Sequence, residues 1–106
     1  MKLLPSLKQK KRYIIFEIVS PQSFTASEVE NVVNEALLLF LGQLGVSKAS
    51  PLFLKEKYKN NRFIIKVNHR YVDECKAALL LIRKIKSTPV KIKSIITSGS
   101  IKGAVR

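Results

Sequence analysis

The chain has 106 residues, 46% of them apolar, with 20 Lys or Arg against 7 Asp or Glu and a formal net charge of +13. That length suits one domain able to bury a core without staples, and the apolar content excludes a disordered basic tail. Cys75 is the one cysteine and His69 the one histidine, which excludes an internal disulfide, a Cys- or His-based zinc site and a Ser-His pair.

Residues 1–11 read as a basic arm, with Pro5 disfavouring helix before it. The apolar patch at Leu3 and Leu4 is not followed by a long apolar region or a cleavage site, so no signal peptide is expected. Residues 12–19 (RYIIFEIV) are rich in β-branched and aromatic residues and predict a first strand, which Ser20-Pro21-Gln22-Ser23 breaks. Thr25-Ala26-Ser27-Glu28 has the spacing of a capping box, in which the Thr hydroxyl and Glu carboxylate satisfy free N–H groups at a helix start. Val29, Val32, Val33, Ala36, Leu37, Leu39, Phe40 and Leu44 then recur at helical spacing, and Gly45 suits a left-handed stop. No apolar run exceeds that of residues 36–41, which is too short to span a membrane.

Residues 52–58 and 62–67 predict two strands joined by a Lys59-Asn60-Asn61 turn, since Asn tolerates positive φ. Asn68 suits the cap of a second helix over residues 71–86, with Tyr71, Val72, Cys75, Ala78, Leu79, Ile82 and Ile85 as its apolar stripe. Ser87-Thr88-Pro89 ends that helix, and residues 90–97 predict a last strand before a basic tail over 98–106. The order β-α-β-β-α-β is the ferredoxin-like arrangement: an α/β (α+β) sandwich with a four-stranded antiparallel sheet and both helices on one face, in a single domain over 1–106.

The cations are unevenly spread. Lys2, Lys8, Lys10, Lys11 and Arg12 occupy residues 1–12, and Arg83, Lys84, Lys86, Lys91, Lys93, Lys102 and Arg106 occupy residues 83–106, with no acid in either block. Such concentration destabilises a compact state by self-repulsion, so a polyanionic partner is expected. In this topology the last strand lies beside the first, which would merge the two blocks into one RNA-binding surface that neutralises phosphates and releases counterions. The seven acids are scattered, and no pair reads as a general acid set against a base. Glu17, inside the first strand, is expected to pair with a Lys or Arg of a neighbouring strand. Cys75 lies on the apolar stripe of the second helix and is expected in the core.

An acylphosphatase-like hydrolase would need Gly and Arg in the loop after the first strand, which here is Ser20-Pro21-Gln22-Ser23-Phe24. An RNA-recognition motif would need basic-Gly-aromatic-x-aromatic on the third strand, where this chain has Asn61-Arg62-Phe63-Ile64-Ile65-Lys66. Phosphate and shape recognition of structured RNA therefore fits better than base stacking. A ribosomal-type RNA-binding protein and a ligand-binding regulatory domain of the same topology remain alternatives. Leu38, Leu41, Leu80 and Leu81 point away from the main helix stripes and suggest a protein contact.

Four segments carry a family resemblance. Residues 4–18 (LPSLKQKKRYIIFEI), 41–46 (LGQLGV), 66–74 (KVNHRYVDE) and 97–104 (TSGSIKGA) resemble the archaeal ribonuclease P protein component 2 family, related to the eukaryotic Pop-five subunit. Ser6, Lys8 and Lys66 depart from the Thr, Arg and Arg that members often carry there, and Lys loses the bidentate phosphate geometry of Arg. The resemblance implies a non-catalytic subunit of the endoribonuclease that removes the 5′ leader from precursor tRNA. The RNA subunit would do the chemistry with Mg²⁺, this chain holding no cofactor. It would touch precursor tRNA only indirectly and pair with a larger TIM-barrel-like subunit, dimerising within a heterotetramer. Lys8, Lys10, Lys11, Arg12, Lys66, Lys91, Lys93 and Lys102 are the expected RNA contacts, and a cytoplasmic location is expected.

Overall fold

The computed structural model describes residues 10–99. Apolar residues on alternate positions make Lys11–Val19 strand β1, with Ile14, Phe16 and Ile18 buried and their neighbours on the opposite, open face. After Ser20–Phe24, helix α1 runs Ala26–Ala49 from the expected capping box, the Thr25 hydroxyl accepting from the Glu28 N–H (3.2 Å) while Glu28 Oε1 accepts from the Thr25 N–H (2.9 Å). Strand β2 is Leu52–Phe53 and strand β3 is Arg62–Asn68. The Lys59–Arg62 turn between them has Asn60 and Asn61 at positive φ, as their side chains favour. The Asn68 side chain caps a short 3₁₀ turn, His69–Tyr71, that leads into helix α2, Val72–Leu80.

Strands β4 (Lys84–Ile85) and β5 (Thr88–Pro89) form a small separate hairpin, and β6 (Lys91–Ser98) completes the main sheet. That sheet has the order β2-β3-β1-β6 with every pairing antiparallel, the arrangement expected from the sequence. Both helices cover one face. Val29, Val33 and Leu37 of α1 and Cys75, Ala78 and Leu79 of α2 bury against Ile14, Phe16, Phe63, Ile65, Val67 and Ile92. Phe53, Phe63 and Phe16 stack in a row across β2, β3 and β1, with centroids 5.6 and 5.2 Å apart.

Several boundaries differ from expectation. The second strand ends at Phe53, because Lys-Glu-Lys at 55–57 folds into a 3₁₀ turn instead. The second helix ends at Leu80 rather than at residue 86, because Ile85 reaches the core as part of the β4–β5 hairpin and not as a helix residue. The helix stop lies not at Gly45 but at Ser50, whose left-handed backbone returns its N–H to the Val46 carbonyl (2.8 Å). Gly45 sits inside the helix, and Gly42 instead takes a conformation (φ 75°, ψ 171°) that kinks α1.

By length and composition alone α1 could cross a membrane. Here it is a kinked helix whose Val29–Val33–Leu37 stripe is buried against the sheet. Leu39, Phe40 and Leu44, expected in that stripe, are exposed, Leu39 at 89%. Leu39 lies off the face of positions 29, 33 and 37, whereas Phe40 and Leu44 keep its helical spacing and are exposed all the same, Leu44 lying past the Gly42 kink that breaks the helix phase.

Candidate nucleic-acid interface

The open face of the sheet is set by register. Along β1 its residues are Lys11, Tyr13, Ile15, Glu17 and Val19. Across β3 they meet Asn68, Lys66, Ile64 and Arg62, and across β6 Tyr13 meets Ser98, Ile15 meets Ile96, Glu17 meets Lys93 and Val19 meets Lys91. A bulge between Ile15 and Phe16 shifts the β6 register, yet Lys91 and Lys93 both stay on this face and are exposed. The face therefore has a cationic end at Lys11 and Lys66, an apolar row of Ile64, Ile15 and Ile96 across its middle, and a second cationic end at Lys91, Lys93 and Arg62.

At the first end the Lys66 ammonium lies 5.9 Å from the centroid of the Tyr13 ring, covering the aromatic surface that a base would stack on. Lys10 is exposed, and its carbonyl accepts from the His69 N–H (2.8 Å) while His69 Nδ1 lies 3.2 Å from the same oxygen. His69 thus anchors the chain entering β1. Arg12 points to the helix side of the sheet, because neighbouring strand residues face opposite ways, and its guanidinium donates to the Lys11 carbonyl (3.1 Å). At the second end Glu17 pairs with Arg62 (3.6 Å), the cross-strand ion pair expected of an acid inside that strand.

The sequence placed both charge blocks in one patch. The structure brings β1 and β6 side by side but antiparallel, so Lys10, Lys11, Arg12 and Lys66 gather at one end of the sheet while Lys91 and Lys93 stand at the other. Lys8 and Lys102 lie outside the described residues. The sequence reading missed the hairpin that carries Arg83, Lys84 and Lys86 beside Lys91, all three exposed. Its turn, Lys86-Ser87, lacks the Gly or Asn that signals such a hairpin.

Of the proposed protein contacts, Leu38, Leu80 and Leu81 are exposed. Leu41 is partly buried and packs against the core, because it follows Val29, Val33 and Leu37 at four-residue spacing and continues their row. Leu39, Phe40 and Leu81 line a groove of about 340 Å³ between α1 and α2, with Glu35 and Arg83 at its rim. The Cys75 thiol is pushed up to about 11 by burial and by the nearby Glu74 carboxylate, which keeps it protonated and unreactive. Among the described residues no group of three or more His, Cys, Asp or Glu could hold a metal ion.

Comparison with known proteins gives a consistent answer. Residues 12–106 match the model of the Rpp14/Pop5 family. The chain is 38% identical over 100 residues to ribonuclease P protein component 2 of Pyrococcus abyssi, covering 94% of this chain and 85% of that protein. It is 37% identical over 102 residues to the protein of the same name from Methanocaldococcus jannaschii, covering 96% and 75%. A chain in the cryo-EM structure of yeast ribonuclease MRP superposes with a TM-score of 0.67 at 17% identity, over 89% of this chain and 77% of that one, and so shares the fold. With a family match over nearly its whole length and relatives of this identity, the chain belongs to the Rpp14/Pop5 family.

Proposed function

We propose that this chain is a protein subunit of ribonuclease P, which binds and stabilises the catalytic RNA that removes the 5′ leader from precursor tRNA. The observation that carries the reading is family membership joined to a sheet face whose two ends are cationic and whose one cation-covered aromatic, Tyr13, leaves no bare stacking platform. Such a surface suits phosphates of folded RNA rather than bases of a single strand. Lys8, Lys10, Lys11, Lys66, Lys91, Lys93 and Lys102 make the RNA contacts, and Arg12 joins them at the Lys11 end from the helix side of the sheet. Their work is electrostatic: they lower repulsion between RNA segments and so favour the RNA conformation that binds Mg²⁺ and substrate. The chain itself contributes no reacting group.

The exposed apolar residues of the helix layer, Leu38, Leu39, Phe40, Leu44, Leu80 and Leu81, take a protein partner. The larger, TIM-barrel-like subunit of the same enzyme is that partner, and a second copy of this chain joins through the pair. The ribonucleoprotein works in the cytoplasm.

Reconstitution tests the reading. Precursor tRNA cleavage by the ribonuclease P RNA with the larger subunit, at limiting Mg²⁺, is expected to rise when this chain is added. Cleavage that is the same with and without it would contradict the proposal.

A further inference from the structure

Two facts of the structure do not follow from one merged basic patch. The first is distance. Eight residue steps of extended strand separate Lys11 from Val19, the partner of Lys91, or about 27 Å at ~3.4 Å per residue. The nearest cations of the two ends, Lys66 opposite Tyr13 and Lys93 opposite Glu17, stand four steps or about 14 Å apart, still beyond the ~8 Å over which salt screens a charge at physiological ionic strength, so the two ends of the sheet act on an anion largely separately. The row Ile64–Ile15–Ile96 between them carries no charge.

The second is the hairpin over residues 83–89. Its buried Ile85 anchors it in the core, its Thr88 hydroxyl lies 3.2 Å from Gln22 Oε1, and Lys86 pairs with Glu28 at the start of α1. Lys86 and Ser87 both hold positive φ without being Gly or Asn, so the turn keeps a conformation its residues do not favour. Val90 N–H donates to the Arg83 carbonyl (2.9 Å), which fastens the hairpin to the start of the edge strand β6, with Arg83 and Lys84 on the helix side of that edge, where they line the α1–α2 groove, and Lys91 and Lys93 on its open face. Arg83, Lys84, Lys91 and Lys93 make no ion pair among the described residues. Lysines on an edge strand also deter edge pairing, but that role calls for no cation at Arg83 or Lys84.

We propose that Arg83, Lys84, Lys91 and Lys93 form a second binding surface for RNA phosphates, separate from the surface at Lys10, Lys11 and Lys66, so that the protein grips two stretches of RNA backbone at once. This rests on the reading of the chain as a ribonuclease P subunit. The protein is then a brace between RNA segments, with the apolar middle of the sheet spanning the gap.

Hydroxyl-radical footprinting of the ribonuclease P RNA, bound by the full chain with the larger subunit, tests this. The wild type is expected to protect two separate tracts. Arg83→Gln with Lys84→Gln, Lys91→Gln and Lys93→Gln is expected to lose one tract and keep the other, and Lys10→Gln with Lys11→Gln to do the reverse. Each set should flatten the dependence of log K on log salt by about 0.7–0.9 for every phosphate it no longer neutralises. Circular dichroism confirms folding, and Lys91→Gln with Lys93→Gln alone serves if the fourfold variant does not fold.

Unchanged protection, affinity and salt slope in the hairpin-end variants would overturn the second surface and leave the subunit reading standing. So would a variant that loses the protein partner while its RNA footprint stays intact. A wild-type protein that protects no RNA at all would overturn both.

Discussion

Replacing Asn61 with Ala should unfasten the loop that leads from β1 into α1. Asn61 Oδ1 accepts from the Phe24 N–H (3.3 Å) and lies 3.0 Å from the Tyr58 hydroxyl, while its Nδ2 donates to the Gln22 carbonyl (2.8 Å). The Tyr58 hydroxyl keeps the Phe24 carbonyl at 2.6 Å whatever stands at 61, so the principal losses are at Phe24 and Gln22. A part-buried N–H left without a partner costs about 1–2 kcal/mol, and the bond to the exposed Gln22 carbonyl contributes about 0.5 kcal/mol because water replaces it. Asn61 also holds φ 60°, a backbone that Ala adopts at a cost of about 1 kcal/mol.

The total for Asn61→Ala is about 3 kcal/mol, a large share of the ~5–15 kcal/mol that stabilises a domain. Asn61→Gly removes the same bonds without the backbone strain, so it should cost about 1 kcal/mol less. Urea denaturation followed by circular dichroism measures both, as a shift in midpoint at unchanged slope. An Asn61→Ala variant within about 0.5 kcal/mol of wild type, or a Gly variant less stable than the Ala one, would refute the reasoning.

Gly42→Ala should destabilise by about 1–3 kcal/mol in the same assay, because φ 75° with ψ 171° is a region essentially reserved for glycine. Crowding is not the cause, since a Cβ there would meet nothing within 4 Å. Glu28 is held below the ordinary carboxylate range by the Lys86 ammonium and by the Thr25 N–H it accepts from. A depressed folded-state value means that its contribution is present above the unfolded value and lost as pH falls through the folded one. The stability advantage of wild type over Glu28→Gln should therefore hold at neutral pH and shrink on acidification below the ordinary glutamate range, as midpoints at several pH values will read. Cys75, buried and with its thiol raised, should resist a thiol-specific reagent in the native protein and react fully in denaturant.

The sheet was legible in the residue types of β1 and in the period of two along β6. Apolar and aromatic residues run through β1, and Lys91 and Lys93 alternate with Ile92 in β6, which marks both as strands, but β1 is apolar on both faces and only the helix layer decides that Ile14, Phe16 and Ile18 are the buried set. The capping box at Thr25 and Glu28 and the Asn60-Asn61 turn were equally plain, since each is a local device whose chemistry needs those side chains. The second helix was read six residues too long. Ile82 and Ile85 keep helical spacing with Leu79 and both reach the core, but the helix ends at Leu80 and Ile85 arrives on a hairpin, which only the folded packing shows.

The left-handed stop was expected at Gly45, whereas the positive φ falls at Gly42 and the stop at Ser50, because sequence gives the supply of flexible residues, not the one whose φ the fold demands. The candidate interface was half legible. Adjacency of the first and last strands follows from topology, but their antiparallel direction separates the cations along the strand, and a count of charge by block cannot register direction.

The central claim is that cations on this fold grip RNA through its phosphates. The most direct measurement is the equilibrium binding of the full chain, with the larger subunit proposed as its partner, to the ribonuclease P RNA across a salt series. The account predicts that log K falls linearly with log salt, with a slope of about −3 or steeper if roughly four or more phosphates are neutralised at ~0.7–0.9 each. A tight complex whose affinity is the same at low and moderate salt would contradict it.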